Sequence, residues 1–180
     1  MNSAKTRAAI VAALRKIMPA HSILSDAEDT RPYECDALST YKQLPLIVVL
    51  PDNETQIVAI LKICRDFQVP VVPRGAGTGL SGGATPIEHG IVLSTAKLNK
   101  ILELNAYART AKVQPGVRNL AISDAAADAG LYYAPDPSSQ LACTIGGNVA
   151  ENAGGVHCLK YGLTNHNVLR VKIVTMDGDI

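Results

Sequence analysis

Residues 74–83 read RGAGTGLSGG and place five glycines in ten positions. A loop so stripped of side chains brings its peptide N–H groups close to an anion, because no Cβ stands in the way and positive φ is freely available. The chemistry this suits best is the cradling of a phosphate. A second cluster, Gly146, Gly147, Gly154 and Gly155, lies downstream in TIGGNVAENAGG. Nine of the 14 glycines fall in these two segments, too many to ascribe to turns alone. Thr78, Ser81, Ser138 and Thr144 add hydroxyls beside them, and Asn148 and Asn152 add amides suited to ring carbonyls and nitrogens.

Two familiar phosphate loops can be set aside. Gly77 and Gly82 have Walker A spacing, but Gly83 stands where that loop needs its lysine. Gly77, Gly79 and Gly82 also match Gly-x-Gly-x-x-Gly, with Glu103 about twenty residues on as the dinucleotide fingerprint asks. That mechanism requires a helix whose N-terminus faces the pyrophosphate. Here ATPIEHGIVLS follows, with Pro86, Gly90 and then a strand, so no helix starts in the required place. What survives is a nest of backbone amides completed by the second glycine segment.

The composition narrows the alternatives. Seventeen basic and 16 acidic residues leave a net charge of +1, so no field gathers nucleic acid or anionic lipid. No apolar run reaches the length of a membrane span; the densest is LPLIVVLP at 44–51. The cysteines at 35, 64, 143 and 158 form no Cys-x-x-Cys pair, and His157-Cys158 matches no structural zinc spacing. No metal site is expected, and four free thiols suit a reducing cytoplasm.

The positioning elements follow from hydrophobic periodicity. Residues 1–30 read as a leader whose helix is capped by Ser3 and docks through Ile10, Val11, Leu14, Ile17 and Met18. Residues 31–180 read as the main domain, and Ile23 to Tyr41 reads as polar and irregular. PLIVVLP is a buried strand. Asn53 and Gln56 form a capping box that opens a helix with Ile57, Ile60, Leu61 and Cys64 on one face. VPVVP (69–73) is a second strand, so the unit is a parallel βαβ with the glycine loop at its end. Short strands follow at 90–94, 100–104 and 109–114, then a helix over 117–129 that Gly130 stops in the left-handed conformation. A last strand is expected over 168–176. Asp177-Gly178 signals a two-residue hairpin, whose returning strand would lie beyond Ile180, which implies a longer protein. The class is α+β, a βαβ subdomain plus a mixed-sheet subdomain.

Four stretches together, VPRGAGTGLSGG, APDPSSQLACTIGGNVAENAGG, LKYGLTNHNVL and MDG, resemble the FAD-linked oxidases with the vanillyl-alcohol oxidase, or PCMH-type, FAD-binding domain. Within that family the resemblance is to the FAD-linked subunits of bacterial glycolate oxidase and to D-lactate and D-2-hydroxyglutarate dehydrogenases. It covers Tyr33 to Ile180. The resemblance implies FAD as cofactor. Pro73, Arg74, Gly75, Ala76, Gly77, Thr78, Gly79, Ser81 and Gly82 would lie around the pyrophosphate. Pro137, Ser138, Thr144, Gly146, Gly147, Asn148, Asn152, Gly154 and Gly155 would lie along the flavin and the rest of the dinucleotide, with Ile173 near the adenine.

It further implies hydride transfer to FAD from a D-2-hydroxy acid, glycolate first and D-lactate next. The catalytic and metal residues are expected in a cap domain beyond Ile180, so none is assigned within this chain. The expected partners are a sister FAD-binding subunit and an iron–sulfur subunit, with a cytoplasmic location, peripheral to the inner membrane through those partners. Relatives that tether the flavin through histidine carry it in the first glycine loop. Thr78 to Gly83 has none, so FAD is expected to bind non-covalently; Cys143, just before a Thr-x-Gly segment, is the one position to check. A non-catalytic sister subunit and a UDP-N-acetylenolpyruvoylglucosamine reductase-like enzyme are the alternatives.

Overall fold

The computed structural model describes the backbone of residues 3–180 and the side chains of residues 7–180. The expected Ser3 cap lies outside the described side chains. The chain forms two compact units. The first holds the chain up to Arg74 with Leu80–Lys97 and Lys172–Ile180; the second holds Gly75–Gly79 and Leu98–Val171.

The first unit comprises α1 (Ser3–Leu14), β1 (Ile23–Leu24), α2 (Ala27–Thr30), β2 (Ile47–Val49), α3 (Glu54–Asp66), β3 (Val71–Arg74) and β4 (Ile91–Ser94). Its four-stranded sheet has the order β1-β2-β4-β3. β2, β4 and β3 run parallel, Ile91 pairing with both Ile47 and Val71, while β1 is antiparallel to β2. A parallel strand is covered on both faces and therefore reads as a continuous apolar run. Ile47, Val48 and Val49 obey this and are fully buried.

Alternation sends Ile47, Val49, Ile91 and Leu93 into one core with Ile10 and Leu14 of α1 and Ile60, Leu61 and Cys64 of α3. Val48, Val72 and Val92 form a second cluster on the other face, with Leu24, Tyr33 and Leu50 packed against it. Each fully buried isoleucine or leucine contributes about 1.5–3 kcal/mol. Half of the expected capping box forms: Asn53 Oδ1 accepts the Gln56 N–H at 3.0 Å, while Gln56 Oε1 accepts the N–H of Asp52, one residue before the cap, at 2.7 Å. Burial pushes the Cys64 thiol up to about 11, so it is a core side chain with no nucleophilic role.

The second unit contains a hairpin of β5 (Ile101–Asn105) and β6 (Thr110–Val113), then α4 (Asn119–Ala126), α5 (Ile145–Glu151) and α6 (Cys158–Tyr161). The hairpin turn is closed by Asn105 Oδ1, which accepts the Ala108 N–H at 2.9 Å. A 3-10 turn prolongs α4 to Gly130, which holds φ 67° as its terminating position requires.

Several expectations need correction. The segment after Ile23 is not irregular throughout, since β1 and α2 lie in it. β4 does not open the second subdomain; it inserts between β2 and β3, so the mixed pairing sits in the first unit. The helix expected from Val117 begins at Asn119. No strand forms over 168–176, because among the described residues no neighbouring strand pairs with it. The Asp177-Gly178 turn does form, with three loop residues instead of two. Thr175 N–H donates to the Asp179 carbonyl and Gly178 N–H to the Thr175 carbonyl, both at 2.9 Å, with Gly178 at φ 83°.

Candidate cofactor site

The second glycine segment is fixed by backbone bonds to the start of α4. Asn119 N–H donates to the Cys143 carbonyl at 3.0 Å, Ile145 N–H to the Val117 carbonyl at 2.9 Å and Gly146 N–H to the Pro115 carbonyl at 2.8 Å. The buried Asn119 side chain adds a bond to the Pro135 carbonyl at 3.0 Å. These bonds start α5 despite two glycines in its first turn. The helix stops at Asn152, which sits at φ 50° and whose Oδ1 accepts the Asn165 N–H at 3.1 Å.

Two side chains on this segment are buried with nothing to bond. Thr144 stands at the N-cap of α5, yet its hydroxyl caps nothing and has no partner. Asn148 is 3% exposed, and its Nδ2 is unpartnered. Unsatisfied buried polar atoms are costly and rare in folded proteins. Gly75, from the first glycine loop, lies directly against Thr144: a Cβ there would overlap Oγ1 and come within 3.8 Å of the Gly147 N. The second unit thus brings Gly75 of one loop against Thr144 and Gly147 of the other.

The glycines of this cradle have different reasons to be glycine. A Cβ on Gly75, Gly146, Gly154 or Gly155 would collide with Thr144, Pro115, Leu163 or Asp136 respectively. Gly146 and Gly155 are required by fixed neighbours, proline ring and backbone, whereas Gly75 and Gly154 face side-chain ends that can shift. Gly147 is different, for a Cβ there would meet only Thr144 Oγ1, at 3.6 Å. Gly77 needs its φ of 72°. Open space at a glycine beside an orphaned hydroxyl is what a closely held ligand requires.

Ala76, Thr78 and Gly79 share the second unit with this cradle, as do Pro137 and Ser138 in a turn after Asp136. Pro73, Arg74, Ser81, Gly82 and Ile173 belong to the first unit. There Arg74 is 8% exposed; its Nη1 donates to the Cys35 carbonyl at 2.7 Å and its guanidinium lies 5.5 Å from the Tyr33 ring centroid. Burial lowers its pKa. Arg74 is therefore engaged with the 33–35 segment. Ile173 is 62% exposed and lies outside any strand.

Asp136 opens the second loop expected along the flavin, but the sequence assigns it no role. Its carboxylate lies 2.6 Å from the Nδ1 of His157 and is held below the usual carboxylate range by that bond. A signal was present in the APDPSS motif, but the partner is far along the chain. Among the described residues no three His, Cys, Asp or Glu side chains gather where a metal ion could bind, and no helix is long and apolar enough to cross a membrane.

A cradle of glycines on an α+β scaffold, with orphaned hydroxyl and amide groups, defines a nucleotide-cofactor protein without a Rossmann helix. The FAD binding domain family matches residues 45–180. Glycolate oxidase subunit GlcD of Escherichia coli (strain K12) is 60% identical over 173 residues, 96% of this chain and 35% of that protein. D-lactate dehydrogenase of Archaeoglobus fulgidus is 47% identical over 134 residues, 74% of this chain and 30% of that protein. The crystal structure of p-cresol methylhydroxylase with substrate bound superposes with a TM-score of 0.74 at 20% identity, covering 83% of this chain and 30% of that one. The chain belongs to the FAD binding domain family, with the PCMH-type fold, and FAD is its cofactor. It spans about a third of the length of the curated relatives it matches.

The residues present fit that cofactor. Thr144 Oγ1 and Asn148 Nδ2 lack partners that a nucleotide's oxygens would supply, and Gly147 leaves open the space a side chain would fill.

Proposed function

We propose that this chain is the FAD-binding part of a flavoprotein that oxidises a D-2-hydroxy acid to the 2-oxo acid, with glycolate as the preferred substrate. The observation that carries this is 60% identity across 96% of the chain with a glycolate oxidase subunit. The 47% identity with a D-lactate dehydrogenase supports D-lactate as the second substrate. FAD, when bound, supplies the hydride acceptor, and the protein supplies position and electrostatics.

This chain's residues do the holding. Backbone amides of Gly75–Gly79 and Gly147 present donors to the dinucleotide, Thr144 offers its hydroxyl and Asn148 its Nδ2. The turn at Pro137 and Ser138 borders the same site. The partners that go with this reading are a sister FAD-binding subunit and an iron–sulfur subunit. The matching location is cytoplasmic, peripheral to the inner membrane through those partners. The test is anaerobic: the purified, FAD-loaded gene product is mixed with glycolate, D-lactate or L-lactate and the flavin absorption band is followed. Bleaching is expected fastest with glycolate, slower with D-lactate and absent with L-lactate. A band unmoved by both glycolate and D-lactate would contradict the reading.

The FAD is held without a covalent bond. Residues 73–83 contain no histidine, cysteine or tyrosine to form one, and Cys143 is 4% exposed in the turn before Thr144. Acid precipitation is expected to leave the yellow colour in the supernatant. A yellow pellet would show a tether, with Cys143 the first position to replace.

A further inference from the structure

Two stretches assigned to the cofactor, Pro137-Ser138 and Asn152–Gly155, are far apart in sequence, and among the described residues no backbone hydrogen bond joins them. They are joined by one side-chain pair. Oδ2 of Asp136 lies 2.6 Å from His157 Nδ1, and Oδ1 accepts the His157 N–H at 3.3 Å. Both oxygens of one carboxylate are therefore committed to a single residue. Asp136 precedes Pro137, and His157 follows Gly155 by two positions, so the pair sits at the junction of the two stretches. Gly155 passes so close to the Asp136 carbonyl that any Cβ would overlap it. The Asp136 side chain is 20% exposed and that of His157 62%. The pair thus stands at the edge of the site, and the Nδ1–H of the ring is the donor that completes the staple.

We propose that Asp136 and His157 are positioning residues for FAD: their paired hydrogen bonds hold the end of the second glycine segment against the Pro137 turn in the arrangement that receives the cofactor. This rests on the reading of both stretches as cofactor-binding. It gives the pair a role through the backbone, with no contact to the reacting atoms. The neighbouring charged and titratable groups are Tyr161, whose ring centroid is 6.4 Å from that of His157, Tyr132 edge-on to Tyr161, and Lys160, whose Nζ lies 5.0 Å from the Tyr161 ring centroid. None of these takes a side-chain hydrogen bond from His157, and only Tyr161 touches its ring, so Asp136→Ala removes the bonds while leaving that ring contact in place.

The experiment is a titration of the apoprotein with FAD, read by quenching of flavin fluorescence, on wild type, His157→Ala, His157→Asn, Asp136→Ala and the double alanine variant. An asparagine amide reaches the position of Nδ1 with an N–H donor, whereas alanine does not. Each single alanine variant is expected to weaken FAD binding about threefold to tenfold, the range for a partly exposed charge-assisted bond. The double variant should be no weaker than either single one, and His157→Asn should retain wild-type affinity. Losses that multiply in the double variant, or wild-type affinity in His157→Ala, would overturn the proposal. Wild-type protein that takes up no FAD would instead overturn the cofactor reading beneath it.

Discussion

Replacing Gly155 with alanine is expected to lower the stability of the apoprotein by about 3 kcal/mol, the upper part of the range for forcing extra atoms into packed surroundings. The added Cβ would overlap the carbonyl group of Asp136 and its Oδ1. An obstruction made of backbone cannot rotate aside as a side chain can. The segment would have to lift away, and the bonds from Asp136 to His157 would stretch or break with it. For a chain of this size, 3 kcal/mol corresponds to a fall in melting temperature of roughly 6–12 °C. Thermal denaturation followed by circular dichroism measures it directly. An unchanged midpoint would mean that residues 154–157 do not rest on Asp136.

The first unit was largely legible in the sequence because its signals are local. A fully apolar run made β2, an asparagine and a glutamine three apart capped α3, and i, i+3, i+4 spacing chose its buried face. The two glycine segments announced themselves by composition. The place of β4 was not legible: a short apolar strand carries no mark of which neighbours it will lie between. Residues 168–176 show the reverse case, since alternation describes a strand only where a partner exists to take its hydrogen bonds. α5 was hidden because Gly146 and Gly147 each cost about 1 kcal/mol in a helix relative to alanine. Bonds from Ile145 and Gly146 to the backbone before α4 offset that cost, and they are tertiary contacts. The same holds for Asp136 with His157 and for Gly75 with Thr144. Sequence can nominate such residues, but only the fold pairs them.

Gly147→Val carries the largest expected effect on cofactor binding. The position lies in the first turn of α5, where valine is no worse a helix former than glycine. Among the described residues a Cβ there meets only Thr144 Oγ1, at ordinary contact distance. The folded apoprotein therefore loses nothing, and its melting temperature should stay within about 2 °C of wild type, the shift expected from a change of up to 0.5 kcal/mol. The valine methyls would instead fill the space beside Thr144 Oγ1, which with Asn148 Nδ2 makes up this segment's two buried groups left without partners. If that space receives FAD, occupation by a side chain removes both the close approach of the backbone and the bonds those groups would make. Losing about 3 kcal/mol of binding corresponds to a dissociation constant raised by about 100-fold. The most direct test of the account is thus one FAD titration of wild-type and Gly147→Val apoprotein, with thermal melts of both taken alongside. The predicted result is matching melts and an affinity reduced by about 100-fold; matching melts with wild-type affinity would show that the second glycine segment is a structural turn and that FAD is held elsewhere.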